Sequence, residues 1–147
     1  MKQAVRDFAV RTHGKGLYEF TGEVAAWVHQ QRLATGLLTL FCRHTSASLV
    51  IQENADPDVQ TDLACAFDRL APEDRRLYIH TMEGPDDMPA HIRSVLCGVQ
   101  LSIPLIAGGL ALGAWQGIYL FEHRASPAGR SPRICSASEA AQADRIQ

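Results

Sequence analysis

The residues best suited to chemistry in this sequence are histidines beside carboxylates, and they fall in two stretches. In residues 44–58 a histidine precedes several acidic residues, and in residues 80–91 two histidines flank an acidic loop. The candidates are His44, Glu53, Asp56, Asp58, His80, Asp87 and His91. Three neutral imidazoles with an open fourth position suit zinc or another divalent cation, and nearby carboxylates orient imidazoles or activate bound water. If the two stretches converge in the fold, they predict a metal site.

Each candidate also has an ordinary structural explanation, which the spacing leaves open. His44 ends an apolar run and could be a core histidine bonded to a backbone carbonyl. Asp56 and Asp58 could cap a helix, and Asp87 could lie in a solvated loop. Since the spacing matches no H-x-x-x-H or other short zinc signature, convergence of the histidines is an inference.

Serine hydrolase and nucleotide-binding chemistry find little support. Ser46 and Ser48 alternate with His44 as they would on one face of a strand, which raises the possibility of a serine nucleophile. The sequence has no G-x-S-x-G elbow, however, and neighbours in sequence do not by themselves place a hydroxyl on an imidazole nitrogen. It also has no P-loop and no G-x-G-x-x-G motif.

Arginines and cysteines give weaker indications. Arg124, Arg130 and Arg133 surround a loop of Ser, Pro and Gly, where guanidinium groups could clamp an anion or form an ordinary charged loop. The cysteines are irregularly spaced without a C-x-x-C pair, so we expect small core residues in a reducing compartment rather than a disulfide frame. They are Cys42, Cys65, Cys97 and Cys135.

The elements before the first candidate histidine follow the pattern strand, loop, helix, strand. Residues 4–11 predict a strand, residues 13–16 a loop, and Thr21 the N-cap of a helix. The apolar stripe of this helix is Val24, Trp27 and Val28. The apolar run LLTLFCRH at 37–44 predicts a buried strand that ends at His44.

A helix should follow the first acidic stretch. Asp56 is its expected N-cap, Pro57 its first residue, and it should end before Pro72. Its apolar face would be Val59, Leu63, Phe67 and Leu70.

A short strand at 77–80 and a helix from Pro89 to Cys97 should enclose the second acidic stretch. The residues expected to face the core from this helix are Ile92, Val95 and Leu96, and Gly98 should end it.

The C-terminal part predicts two or three strands over 99–124 with a tight turn at 108–109. We expect a last strand near 133–136 and a frayed helical tail at 137–147. Because strands outnumber helices and connections are short, the predicted fold is a single α+β domain with a mostly antiparallel, sandwich-like sheet system flanked by helices.

Composition restricts the class of protein. A chain of 147 residues with 46% hydrophobic and 20% charged content fits one soluble globular domain. The net charge of -2 and pI near 6.3 lack the basic character of nucleic-acid binding proteins. No apolar run could span a bilayer, and the N-terminus MKQAVRDFAV carries charges where a signal peptide needs an apolar core, so we expect a cytoplasmic protein without membrane association.

Three long motifs resemble the YjbQ-like family, also called the secondary thiamine-phosphate synthase family. They are HTSASLVIQENADPDVQTDL at 44–63, HTMEGPDDMPAHIRSVLCG at 80–98 and GAWQGIYLFEHR at 113–124. The resemblance implies a small α+β domain, assembled as a homotrimer, with a pocket in which His44, His80 and His91 bind a metal. Alanine at 114 stands where threonine is common in the family. His123 comes after these three as a candidate, because other branches of the family end this strand differently.

The resemblance also implies an activity and a division of roles. The expected reaction joins an aminopyrimidine diphosphate to a thiazole phosphate and releases diphosphate, with zinc at the histidines and Mg²⁺ as a possible partner of the diphosphate. Expected catalytic residues are Glu53, Asp56, Asp58 and Asp87. Expected substrate-binding residues are Ser46, Asn54, Trp115, Gln116 and Arg124 from the three motifs, together with Arg133 from the arginine-bordered loop. Two alternatives remain: a metal-dependent hydrolase of a small phosphorylated or acyl substrate, and a non-catalytic trimeric metabolite-binding protein.

Overall fold

The computed structural model describes residues 2–125 and the backbone of residues 133–140. Its helices and strands, in chain order, are β1 (Lys2–Ala9), β2 (Gly16–Glu19), α1 (Thr21–Gln30), β3 (Gly36–Cys42), β4 (Ala47–Glu53), α2 (Pro57–Leu70), a 3-10 turn at Arg75–Leu77, α3 (Asp87–Cys97), β5 (Gln100–Ile106), β6 (Gly109–Leu110), β7 (Gln116–Glu122) and β8 (Arg133–Ala140). Within this part of the chain, no helix combines the length and apolarity needed to cross a membrane.

The strands form two antiparallel sheets that share one core. One sheet has the order β1-β8-β3-β5-β6 and the other β2-β7-β4. Leu38 and Leu40 from the first sheet pack in the same cluster as Leu49 and Leu120 from the second. This arrangement confirms the predicted α+β fold with a mostly antiparallel, sandwich-like sheet system.

Strand β3 and helix α1 bury the residues that the sequence pattern predicts. In β3 the alternating residues Leu38, Leu40 and Cys42 are buried, as expected for a strand with one face on the core. The stripe predicted for α1 is also buried. Thr21 is not the N-cap but the first helical residue, because its hydroxyl donates to Glu19 Oε1 at 2.8 Å and accepts from the Ile118 backbone N–H at 2.8 Å.

Helix α2 begins and ends where the sequence predicts. The Asp56 side chain accepts a hydrogen bond from the Asp58 backbone N–H at 2.9 Å, Pro57 is the first residue, and Leu70 is the last before Ala71. No residue of α2 is fully buried, and Leu70 is 65% exposed. The helix therefore covers the core with only part of its apolar face.

The structure differs from the predicted elements in several places. Residues 77–80 do not form a strand; the 3-10 turn ends at Leu77 and the chain continues irregularly.

The structure also contains two strands, β2 and β4, that the sequence does not predict. The sequence of β4 is hard to separate from the hydroxyl-rich segment after His44. β8 continues to Ala140, so the first part of the expected helical tail is strand, while residues 141–147 lie outside the described residues.

Helix α3 faces the core with a different side from the predicted one. It starts at Asp87, two residues before Pro89, and Val95 and Leu96 are 84% and 60% exposed. Its buried residues are Asp87, Pro89, Ala90, Arg93 and Ser94. The Arg93 guanidinium is buried because it donates to Asp68 Oδ1 at 2.8 Å and to the Ala71 carbonyl at 3.0 Å, partners that periodicity cannot show.

The turn before β6 lies one residue earlier than the predicted position at 108–109. Ala107 and Gly108 both have positive φ, 51° and 84°, and the following Gly109 starts β6. A tight turn therefore joins β5 to β6 as predicted, but it is formed by Ala107 and Gly108.

Candidate functional site

A cluster of two histidines and an aspartate lies at the start of α3. Asp87 and His91 are one helical turn apart and share a face, and the segment before the helix brings His80 to the same point. His80 Nε2 lies 2.6 Å from Asp87 Oδ2, and His91 Nε2 lies 3.4 Å from the same oxygen. One ligand atom from each residue falls within 4.8 Å of the others, which is the spacing a shared metal ion requires.

The Asp87 carboxylate is buried, at 2% exposure, and both of its oxygens are engaged. Oδ2 faces the two histidines, and Oδ1 accepts from the Arg124 guanidinium. Arg124 also donates to Asp86 Oδ2 at 3.2 Å and to the Glu83 carbonyl at 2.7 Å. Arg124, at the end of β7, therefore holds the acidic loop and Asp87 in place rather than standing free for an anion.

Asp86 completes the support of this loop. Burial alone would raise the pKa of its carboxyl group, but the hydrogen bond from the Ala125 N–H and the charge of Arg124 bring the pKa below its ordinary value. The carboxylate is therefore ionised at neutral pH and pairs with Arg124. Sequence reasoning left Asp86 out of the site, although its place beside Asp87 in the acidic loop was the available signal.

Gly84 makes the turn of the acidic loop possible. Its φ is +115°, a conformation that side chains rarely adopt, and an added Cβ would lie 3.1 Å from Asp86 Oδ1. A larger residue here would strain the loop that positions both aspartates.

A cavity of about 710 Å³ opens beside His91, and His44 lines it. The His91 Nδ1 atom lies 3.1 Å from the Thr45 carbonyl oxygen, which links α3 to the segment after β3. The rest of the lining is mainly apolar and includes Phe41, Val95 and Val99. His44 is half-buried rather than a core histidine, and it shares the cavity with His91 but is not part of the group formed by His80, Asp87 and His91. Ser46, also half-buried, follows on the same segment.

The remaining predicted site residues lie at the opposite end of strands β4 and β7. Register pairs Ala47 with Glu122 near the histidine cluster and Glu53 with Gln116 at the other end. Seven residues of extended strand span roughly 20 Å at about 3.3 Å per residue. The residues at this far end are Glu53, Asn54, Asp56, Asp58, Trp115 and Gln116. A single chain therefore does not bring them to the histidines.

The residues at the Glu53 end of β4 and β7 form hydrogen bonds among themselves and with Glu19. The Asn54 backbone N–H donates to the Trp115 carbonyl at 3.1 Å, and the Asn54 side chain donates to Glu19 Oε1 at 3.3 Å. Gln116 accepts from the Gly113 N–H at 2.8 Å. Glu19 was missed because β2, the strand that carries it, gives only a weak sequence signal.

His123 is structural in this fold. It is fully buried, and its Nε2 lies 2.7 Å from Ser48 Oγ, which is buried as well. Desolvation, with smaller contributions from Arg93 and Lys15, lowers the pKa of His123 to about 3, so the ring is neutral at physiological pH. The pair has the composition of a serine–histidine dyad but no exposure through which a substrate could reach it. The side chains of Arg130 and Arg133 lie outside the described residues, so the structure gives no geometry for the expected clamp.

A family model described as UPF0047 protein YjbQ-like matches residues 6–135. The chain belongs to this family. Among its relatives, UPF0047 protein sll1880 of Synechocystis sp. is 56% identical over 118 residues, covering 80% of each chain. UPF0047 protein YugU of Bacillus subtilis is 38% identical over 106 residues, covering 72% of this chain and 78% of its own.

Solved structures similar to this chain have the same fold. The conserved hypothetical protein TT1486 from Thermus thermophilus matches with a TM-score of 0.75 and 33% identity, covering 89% of this chain and 97% of its own. An uncharacterised YjbQ/UPF0047 family protein from Clostridium acetobutylicum matches with a TM-score of 0.76 and 29% identity, covering 90% and 97%. None of these names states a reaction.

Proposed function

We propose that this protein is a metal-dependent enzyme that acts on a small anionic substrate, with a divalent cation held by His80, Asp87 and His91. The convergence of their ligand atoms within 4.8 Å supports this proposal. Two imidazoles and one carboxylate that leave a fourth position open form a donor set typical of catalytic zinc. His44, on the cavity wall, would face the open side of such a site.

The hydrogen bonds around the cluster suit metal binding. A carbonyl oxygen only accepts, so the contact with Thr45 puts the proton of a neutral His91 on Nδ1 and leaves the Nε2 lone pair toward Asp87. Arg124 keeps Asp87 oriented through its other oxygen. With both oxygens engaged, Asp87 suits the role of ligand or positioning residue better than that of a free general base.

The reaction to test first is thiamine phosphate synthesis, which the family resemblance implies. The metal would supply Lewis-acid stabilisation of the charge on the departing diphosphate. The chain itself would bind and orient the two substrates in the cavity beside His91, where Arg43 contributes a positive charge. Glu53, Asp56 and Asp58, the carboxylates expected to hold Mg²⁺, lie at the other end of β4, so within one chain they would not reach a diphosphate bound in this cavity. The enzyme would be a cytoplasmic homotrimer.

A second candidate is hydrolysis of a small phosphorylated or acyl substrate. The donor set itself favours it, because zinc held by imidazoles and a carboxylate commonly activates water. A binding protein without catalysis is the third candidate, for which the cluster would serve only to hold a ligand.

One experiment separates these functions. Protein stripped with a chelator and reloaded with zinc or Mg²⁺ is assayed for thiamine phosphate formation and for release of phosphate from a panel of small phosphoesters. We expect synthesis that falls at least tenfold in His44→Ala, His80→Ala and His91→Ala, with His29→Ala, an exposed histidine on α1, as the control. Equal activity in all four variants would refute catalysis at the cluster, and hydrolysis without synthesis would favour the second candidate.

A further inference from the structure

Two buried polar atoms have no hydrogen-bond partner in the part of the chain that the structure describes. They are Arg93 Nε on α3 and His123 Nδ1 directly after β7. Arg93 is 3% exposed, and His123 is completely buried. Buried polar atoms in folded proteins are nearly always bonded to a protein group or to an ordered water molecule. Each of these two atoms therefore requires a partner.

The two side chains lie in the same region of the interior. Arg93 donates to the Ala71 carbonyl at the end of α2, at 3.0 Å. One turn earlier in α2, the Phe67 ring packs edge-on against Phe121, and the Phe121 ring lies 4.4 Å from the His123 ring between centroids. The pKa of His123 is lowered first by burial and next by the charge of Arg93, which agrees with a guanidinium close to the ring.

The neighbouring hydrogen bonds determine which nitrogen of His123 carries the proton. The ring is neutral at physiological pH, because burial and the charges of Arg93 and Lys15 lower its pKa to about 3, so one nitrogen donates and the other accepts. Burial raises the pKa of the Cys97 thiol, and a hydrogen bond from Ser48 opposes that rise. Since the Ser48 hydroxyl donates to Cys97, its oxygen accepts from His123 Nε2–H at 2.7 Å. This leaves Nδ1 as an acceptor.

A single partner for both atoms must accept from Arg93 Nε–H and donate to His123 Nδ1. A water molecule does both, and waters in protein interiors usually bond about two to four buried polar groups. A chloride ion only accepts, so it would leave His123 Nδ1 unpaired. The positive charge of Arg93 is already paired with Asp68 Oδ1 at 2.8 Å, so this region needs no second anion.

We propose that Arg93 Nε and His123 Nδ1 bind one internal water molecule between them. The water completes a hydrogen-bond network that runs from Arg93 through His123 and Ser48 to Cys97. This network joins α3, at Arg93 and Cys97, to strand β4 and to the end of β7. It accounts for the side of α3 that faces the interior, with Arg93 buried and Val95 exposed. The inference is independent of the proposed function, because no residue of the network is a proposed metal ligand.

The wild-type chain tests the site without any substitution. A high-resolution crystal structure should show one ordered water within hydrogen-bond distance of Arg93 Nε and His123 Nδ1. Long-range ¹H–¹⁵N NMR of the His123 ring should show a neutral imidazole with its proton on Nε2. A protein group bonded to either atom, no ordered density between them, or a proton on Nδ1 would overturn the proposal.

A double-mutant cycle tests whether the two side chains share one partner. Arg93→Met removes the Nε donor, and His123→Gln keeps a donor for Ser48 but removes Nδ1. Either change takes one bond from the water, so the second change should cost less than it does alone. In urea unfolding at pH 8, where His123 is neutral folded and unfolded, the unfolding constant of the double variant should be at least threefold below the value that multiplying the two single effects gives.

A second cycle provides the control. Arg93→Met combined with Asp56→Ala, which removes the N-cap at the opposite end of α2 from Ala71, should give effects that simply multiply. Effects that multiply in the Arg93 and His123 cycle as well would overturn the proposal.

Discussion

The buried pair of Ser48 and His123 makes a quantitative prediction about stability and pH. His123→Gln replaces the ring by an amide whose nitrogen can reach Ser48 Oγ, the partner that His123 Nε2 contacts at 2.7 Å. The change removes a titrating group and keeps a hydrogen bond. Its effect on stability should therefore depend strongly on pH.

The magnitude follows from the two pKa values. Burial lowers the pKa of His123 from 6.5 to about 3. Between these values the unfolded chain binds a proton that the folded chain does not, so the folded state loses stability as the pH falls below 6.5. The loss is about 1.36 kcal/mol per pH unit, or about 2.7 kcal/mol at pH 4.5 relative to pH 8.

Urea unfolding followed by circular dichroism across this pH range measures the effect. The wild type should lose about 2.7 kcal/mol more than His123→Gln between pH 8 and pH 4.5, because the carboxylates common to both proteins cancel in the comparison. His29→Gln, at an exposed histidine, should follow the wild-type curve. Parallel curves for wild type and His123→Gln would refute the conclusion that His123 is buried and neutral.

Three further substitutions test other parts of the structure. Asp87→Asn should weaken zinc binding about 10- to 100-fold and, by weakening the pairing of Arg124, lower Tm by about 3 to 10 °C; unchanged zinc affinity in calorimetry would contradict its role. Asp56→Ala removes the N-cap of α2 and should cost about 1 kcal/mol in urea unfolding, whereas a loss near zero would mean that the cap is not formed. Gly117→Ala would place a Cβ 2.7 Å from Glu19 Oε1 and 2.9 Å from the Tyr119 ring, so we expect a lower Tm by differential scanning fluorimetry; an unchanged Tm would show that these neighbours shift freely.

Sequence patterns predicted the parts of the fold that depend on local rules. The alternation in β3 and the cap and proline of α2 each act within a few residues, so the pattern and the structure agree. The buried face of α3 could not be predicted in this way. Its buried face includes Asp87 and Arg93, and a charged side chain is buried only where distant partners such as Arg124 and Asp68 satisfy it.

The candidate site was likewise predicted only in part. Two of the three predicted metal ligands, His80 and His91, converge, and Asp87 joins them. His44 lies on the adjoining cavity instead. The separation of Glu53 and Trp115 from this cluster depends on the register between β4 and β7, a long-range pairing that motif order cannot reveal.

The most direct test of the metal site is a zinc titration by isothermal calorimetry on chelator-treated protein, with His80→Ala, His91→Ala and the control His29→Ala. The arrangement around Asp87 predicts a single zinc ion per chain, affinity reduced at least tenfold in the first two variants, and wild-type affinity in the control. Equal zinc affinity in all four proteins, or no zinc binding by the wild type, would contradict the metal site at His80, Asp87 and His91.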